Sequence, residues 1–441
     1  MRHTLSGLLA LLLMAMAAPA PAAAQSWVGG SPLHTQVRVG ADGETYVGVW
    51  IEAPNVSPVR SRAPMAVSLV VDTSGSMAGA KIRNAQMAAA SLVESLAPGD
   101  IVSIYAFSNQ VTQIAAPTVI GPGTRASLMQ GIRQLYAGGG TNLWDGMQVG
   151  IARMNEAPAT HPLRRVFLIS DGRANVGPAD PQSLGDLAAR ATEFGTQVTA
   201  IGVGYDYDQQ TLSAMAVRSS GRLYHLAEPQ QMAAILEGEL DLLSRSVAVN
   251  AYLEVVPAPG VTILSGETTG TVISDGRLRL PLGSMHAGQR REVLFRARIP
   301  SSQLGQHSLA QARVVYRTPS EGEERVSEAP IAYEVARSSA PPAPRVASMV
   351  ANHEASVAQL RAAEAMRQGQ QQRAVQELQR ARQQLSAAAA VAPPSPQRRQ
   401  LRERATRMQA AQDSAAGASS APAQAAAAYE FADEAIEAEG Y

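Results

Sequence analysis

The sequence predicts an α/β fold, a doubly wound and mostly parallel sheet, with a β-sandwich beside it and helices at the C-terminal end. Three observations predict it. Between residues 63 and 246, short valine- and isoleucine-rich runs alternate with helical patterns, and parallel strands need such crossovers. From residue 247 to 337 the period shortens to two, with Pro-Gly, Asp275-Gly276 and Gly-rich turns between runs, as in antiparallel strands buried on one face. Beyond residue 348, Ala, Gln and Arg dominate at helical spacing.

The chain opens with Arg2 and His3, an apolar run from about Leu8 to Ala18, and the small residues Pro19 to Ala24. That run is too short to span a bilayer, so residues 1–24 read as an export signal cleaved after Ala24. No later stretch is long and apolar enough to cross a membrane, and the mature protein is expected in a bacterial periplasm or outside the cell. There is no cysteine, hence no disulfide and no lipid-anchored N-terminal Cys. Residues 25–62 hold a predicted β-hairpin, Val37 to Ile51, turning at Ala41-Asp42-Gly43. Two strands alone are marginal in water, so the hairpin is expected to complete the sandwich, with the α/β unit inserted into it.

Within 63–246 the predicted strands are Met65–Val71, Ile101–Phe107, Val111–Ile114, Arg165–Ile169, Gln197–Val203 and Leu223–His225. The predicted helices are Met77–Leu96, Arg125–Leu135, Leu143–Met154, Pro181–Phe194, Tyr207–Arg218 and Gln230–Leu243. The link Ser108-Asn109-Gln110 joins only antiparallel neighbours, which makes Val111–Ile114 an edge strand. A Rossmann-like strand order sets the first and fourth strands on either side of the reversal in winding, where open α/β sheets bind ligands. Asp72 ends the first of these strands and Asp171 the fourth, so two carboxylates far apart in sequence are brought to one crevice.

The sandwich strands are Ala251–Val256, Val261–Ser265, Thr271–Ile273, Arg277–Leu280, Arg291–Ile299, His307–Tyr316 and Ala329–Val335. A stiff proline-rich linker, 338–347, leads to a helical region, 348–411. There Ser348–Arg367 and Gln371–Ala390 form an antiparallel hairpin broken at Gly369. Ala374, Leu378 and Ala381 resemble the second helix of a tetratricopeptide unit, but one unit cannot bury its own face, and a plain hairpin is expected. Residues 412–441 read as disordered with an acidic end.

The chemistry centres on Asp72-Thr73-Ser74-Gly75-Ser76, between the first strand and its helix. A carboxylate and two hydroxyls at i, i+2 and i+4 are hard oxygen ligands, suited to Mg²⁺ and poorly to Zn²⁺. By itself the string is equally a strand–turn–helix with serine caps. Two further stretches weigh against that: Gly138-Gly139-Gly140-Thr141 delivers another hydroxyl ahead of a helix, and Ser170-Asp171-Gly172 ends a second buried strand in a second carboxylate. Asp72, Ser74, Ser76, Thr141 and Asp171 together resemble the metal-ion-dependent adhesion site (MIDAS) of the von Willebrand factor type A (VWA) domain, all five in the family's order. The layout with a flanking sandwich is similar to exported bacterial proteins of this family and to inter-alpha-trypsin inhibitor heavy chains.

The resemblance implies a divalent ion, Mg²⁺ or Mn²⁺ or Ca²⁺, held directly by Ser74 and Ser76. It implies that Thr141 binds directly or through water, and that Asp72 and Asp171 act largely through water. It further implies an open coordination position for an Asp or Glu side chain of a partner protein, as in cell adhesion. Ser108, Asn109, Asn142, Arg173 and Asn175 are candidates for the surrounding contact surface, with Asn142 and Asp145 also fitting a helix N-cap and its partner. Trp144 is a candidate for the same surface or for the core.

The leading reading is therefore a metal-dependent protein-binding module of an exported protein, not an enzyme. Two alternatives stay open: a metal site that stabilises an assembly or is capped by the chain's own acidic tail, and a metal-dependent hydrolase. Against catalysis, none of His34, His161, His225, His286, His307 and His353 lies in a nucleophile motif, and Asp72-x-Ser74 lacks a phosphatase's second carboxylate. No Gly-rich phosphate loop appears. A formal charge of zero and a pI near 7.1 argue against nucleic acid as partner.

Overall fold

The structure, a computed structural model, describes residues 27–41, 43–55, 62–204, 207–226 and 228–438. The proposed export signal, 1–24, lies outside the described residues. Three strands come first: β1 (Val28–Pro32), β2 (Gln36–Arg38) and β3 (Glu44–Glu52). The α/β region begins with β4 (Met65–Asp72), α1 (Ala80–Ser95), β5 (Ile101–Phe107), β6 (Val111–Val119), α2 (Thr124–Ile132) and α3 (Leu143–Asn155). It continues through β7 (Leu163–Ser170), α4 (Pro181–Ala191), β8 (Thr196–Val203), α5 (Gln209–Arg218), β9 (Arg222–Leu226) and α6 (Met232–Ser244).

These strands form one sheet in the order β6-β5-β4-β7-β8-β9, antiparallel only between β5 and β6. The expected reversal is present: β4 is flanked by β5 and β7, both parallel to it. All eight residues of β4 are buried, as both faces of a parallel sheet must be. Its side chains alternate between two cores. Val67, Leu69 and Val71 pack with Leu92 of α1 and Leu240 of α6, while Ala66 and Val70 pack with Met147 of α3, Leu184 of α4 and Leu212 of α5. The expected helix from Met77 begins later, at Ala80. Gly79 takes a φ of +80°, which ends the short 3₁₀ turn Gly75–Met77 before α1 starts.

The second unit is built of β10 (Ser246–Pro257), β11 (Thr262–Gly266), β12 (Val272–Ser274), β13 (Arg277–His286), β14 (Arg290–Arg298), β15 (Gly305–Arg317) and β16 (Glu324–Ala336). Two sheets, β1-β3-β14-β11 and β12-β13-β10-β15-β16-β2, enclose a core that includes Val49, Leu253, Phe295 and Ile331. The N-terminal strands do join the sandwich, so the α/β region is inserted into it. The expected hairpin, however, does not form. β3 pairs with β1 and β14 in one sheet, whereas β2 runs parallel to β16 in the other. β2 and β3 thus lie in different sheets, and Ile299 N donates to Gly43 O at 2.8 Å. β1, Val-Gly-Gly-Ser-Pro, was not legible because two glycines and a proline erase strand propensity.

The C-terminal region holds α7 (Pro344–Arg367), α8 (Gln371–Val391), α9 (Pro396–Gly417) and α10 (Ala421–Ala438). The expected hairpin is α7 and α8, with Ala374, Leu378 and Ala381 fully buried. The linker is shorter than expected, since Pro344 already stands in the first turn of α7, where a missing N–H costs nothing. The expected disorder from residue 412 is corrected: the described residues there are mainly helical. Alanine is the best helix former, and here its small side chains let four helices approach closely enough to bury Phe431 with Met366, Leu378 and Leu401. On the opposite face of α10, Tyr429 enters the α/β core, stacks on His225 and donates its hydroxyl to Tyr207 O at 2.7 Å. α10 also contacts β9 of its own chain. Phe431→Ala is expected to lower the unfolding free energy of the helical unit by ~3 kcal/mol, read from urea denaturation. A solvated tail would leave the curve unmoved.

Candidate functional site

Asp72 and Asp171 stand at the C-terminal ends of the adjacent strands β4 and β7, and both are fully buried. Each Asp72 oxygen is engaged by the protein: Ser74 N donates to Oδ1 at 2.8 Å and Ser170 Oγ to Oδ2 at 2.6 Å. Asp171 Oδ1 accepts from Ser76 Oγ at 2.7 Å, and its Oδ2 is paired with the Lys81 ammonium. Ser74 Oγ and Ser76 Oγ lie 3.1 Å apart. Thr141 Oγ1 and Ser76 Oγ sit 3.5 and 3.6 Å from where a Cβ on Gly172 would stand, so both hydroxyls border the Asp171–Gly172 turn. The five residues singled out in the sequence therefore gather at one crevice. Its floor is buried, while Ser76, Gly139 and Arg173 at its rim are exposed.

The loops around the crevice brace one another. Gly75 N donates to Gly139 O at 3.1 Å and Gly138 N to Thr73 O at 2.7 Å, joining the serine loop to the glycine loop. Asn109 Oδ1 accepts from Gly140 N, and Asn175 Oδ1 from Thr141 N, both at 2.8 Å. A Cβ on Gly140 would come within 2.7 and 2.8 Å of those two oxygens, so only glycine lets the asparagines close on the loop. Ser108 O accepts from Asn142 N at 2.7 Å. Asn142 is buried and caps α3, accepting from Asp145 N and donating to Asp145 Oδ2. Among the five residues considered for a contact surface, Asn109, Asn142 and Asn175 thus spend side-chain polar atoms on the loops, and Arg173 projects into solvent. Trp144, half-buried, packs against the α/β core.

Two residues of the cluster were not singled out by sequence reading. Ser170 is signalled only by its place directly before Asp171, as a polar residue ending a buried strand. Lys81 is the only lysine in the chain and falls in the first turn of α1.

All the side-chain donors here are oxygens except the Lys81 ammonium. Among the described residues no three or more His, Cys, Asp or Glu side chains gather to hold a metal. An ion in the crevice would rest on two carboxylates and three hydroxyls.

The family model for the von Willebrand factor type A domain matches residues 67–238. The chain carries a von Willebrand factor type A domain. An uncharacterised protein of Synechocystis is 27% identical over 283 residues, covering 61% of this chain and 66% of that one. Inter-alpha-trypsin inhibitor heavy chain H3 of Mesocricetus auratus is 26% identical over 210 residues, covering 46% of this chain and 23% of that one. This chain therefore spans under a quarter of the heavy chain's length and about two thirds of the Synechocystis protein's. The solved structure of a von Willebrand factor type A protein from Catenulispora acidiphila superposes with a TM-score of 0.67 at 17% identity, covering 83% of this chain and 87% of that one, and shares the fold. Type A domains are mostly interaction modules and commonly mediate metal-dependent protein contacts.

In this type A domain the two carboxylates repel each other inside a low-dielectric crevice. Burial raises the Asp72 pKa above the usual carboxylate value; the Ser170 and Ser74 hydrogen bonds oppose this, and the charge of Asp171 adds to it. A folded-state pKa above the unfolded one means the folded protein binds this proton more readily. Its contribution to stability therefore grows as pH falls through the raised pKa and is adverse above it. Asp72→Asn removes the charge, keeps an acceptor for Ser74 N and reverses the second contact, so that its amide donates to Ser170 Oγ. In chelator-treated protein at pH 7 it is expected to melt above the wild type, with the gap closing as pH falls into the range where Asp72 protonates. Equal melting across that range would mean that the Asp72 charge is not adverse.

Proposed function

We propose that this type A domain is a metal-ion-dependent protein-binding module of an exported protein, holding a divalent cation that bonds an Asp or Glu side chain of a partner. One observation carries the reading: two buried carboxylates and the hydroxyls of Ser74, Ser76 and Thr141 converge where the sheet reverses its winding, in a crevice open to water. Asp72, Ser74, Ser76, Thr141 and Asp171 would hold the ion, and their all-oxygen set fits Mg²⁺, or Mn²⁺ or Ca²⁺ in its place. A hard cation on so few charged ligands keeps waters, and an incoming carboxylate replaces one of them. Such a bond supplies the central anchor, and the surrounding loops supply selectivity. Arg173, exposed on the loop after Asp171, suits an acidic partner.

Export through residues 1–24 belongs to this reading, and with it a periplasmic or extracellular partner. Among the described residues no helix is long and apolar enough to cross a membrane.

Mg²⁺ titrated into the metal-stripped protein is expected to release heat of binding with the wild type and none with Ser74→Ala. Pull-down from the native envelope is expected to recover a protein partner with wild type plus Mg²⁺, and to lose it with chelator or with Ser74→Ala. A partner retained equally under all these conditions would reject the reading.

A further inference from the structure

The crevice holds two carboxylates and, among the described residues, one cation in contact with them. Lys81 Nζ is paired with Asp171 Oδ2, the oxygen that Ser76 leaves free, and among the described residues no ion pair reaches Asp72. The setting of this lysine is unusual in two ways. It is the only lysine in a chain whose Lys and Arg total 37, so a composition that otherwise chooses arginine has lysine here. It stands in the first turn of α1, where the helix dipole disfavours positive charge. Its ammonium also lies against the loop after β8, 3.8 Å from where a Cβ on Gly204 would stand, an ordinary contact distance. A compact ammonium on a flexible stem reaches a single carboxylate oxygen and withdraws again, whereas a planar guanidinium would be held as a fork.

We propose that Lys81 is the resident counter-cation of this site: it neutralises Asp171 in the metal-free protein and competes with the divalent ion for the same carboxylate. The proposal rests on the metal reading above and adds a consequence. Two carboxylates and one ammonium leave a net charge of −1, so the empty site is tolerated but still attracts a cation. With a divalent ion and Lys81 together the net charge becomes +1, which favours an anionic partner. Lys81 thus lowers affinity for the metal and raises the pull of the loaded site on a carboxylate.

The test compares wild type, Lys81→Met and Lys81→Arg after chelator treatment, by calorimetric titration of Mg²⁺ and of Mn²⁺ and by melting with and without metal. Lys81→Met is expected to bind either ion about tenfold more tightly, because the repulsion between like charges is removed. It is also expected to melt lower than wild type without metal, since a buried charge loses its partner, and to gain more from metal. Lys81→Arg, which keeps the charge and holds the carboxylate as a fork, is expected to bind metal no more tightly than wild type. Lys81→Gln keeps a donor for Asp171 without the charge; it should show the same tightening, and decides the matter if the methionine variant does not fold. Metal binding by wild type with equal or weaker affinity in the uncharged variants would overturn the role of Lys81 alone. Absence of metal binding in the wild type and every variant would overturn the metal reading and this proposal with it.

Discussion

The structure depends on the electrostatics of two aspartates forced side by side. Parallel pairing of β4 with β7 sets Val71 opposite Ile169, so the strands run out together and their terminal carboxylates share one crevice. Burial takes water from both, and like charges at short range in a low dielectric repel strongly. Everything else in the crevice answers that repulsion. Ser74 N and Ser170 Oγ donate to Asp72, while Ser76 Oγ and Lys81 donate to Asp171. The serine loop bends back because its hydroxyls and amides are drawn to these oxygens, and the glycine loop is held against it by backbone bonds.

The opposite end of the same sheet holds a buried carboxylate with a different charge balance. Glu239 of α6 lies 3.6 Å from Arg165 at the start of β7 and 3.5 Å from Arg222 at the start of β9. It also accepts from Thr199 Oγ1 and Tyr224 Oη, both at 2.8 Å. There one acid meets two guanidiniums and two hydroxyls, and its charge is fully answered. At the crevice, two acids stand beside one ammonium, which pairs with Asp171. That contrast, within one sheet, sets a charge-balanced ion-pair cluster apart from one with an excess of negative charge.

The helices at the C-terminal end extend this architecture. α10 places Tyr429 in the α/β core and Phe431 among the helices, so it is clamped between two units. Tyr429 holds the backbone of Tyr207, in the same β8–α5 connection whose Gly204 borders Lys81. The far end of the chain is therefore packed against a loop that reaches the crevice. α10 also contacts the edge strand β9.

Much of this was written in the local sequence. Valine-rich runs and helical periodicity determined the α/β region, because strand and helix periods are properties of a few neighbouring residues. The crossover rules then placed Asp72 and Asp171 at one end of one sheet, and the hydroxyls of Ser74, Ser76 and Thr141 followed from their loops. What only the tertiary structure decided depends on contacts between distant segments. The glycine-rich β1 is a strand because β3 offers it a partner. β2 and β3 part to opposite sheets because β16 and β14 compete for them more effectively than they pair with each other. The alanine-rich end is ordered because four helices bury one another. Lys81 sits in the crevice because the start of α1 folds over the end of β7, a meeting that a lone lysine in a helical pattern cannot announce. Local periodicity is short-ranged; charge pairing and edge pairing are decided only when the chain has closed on itself.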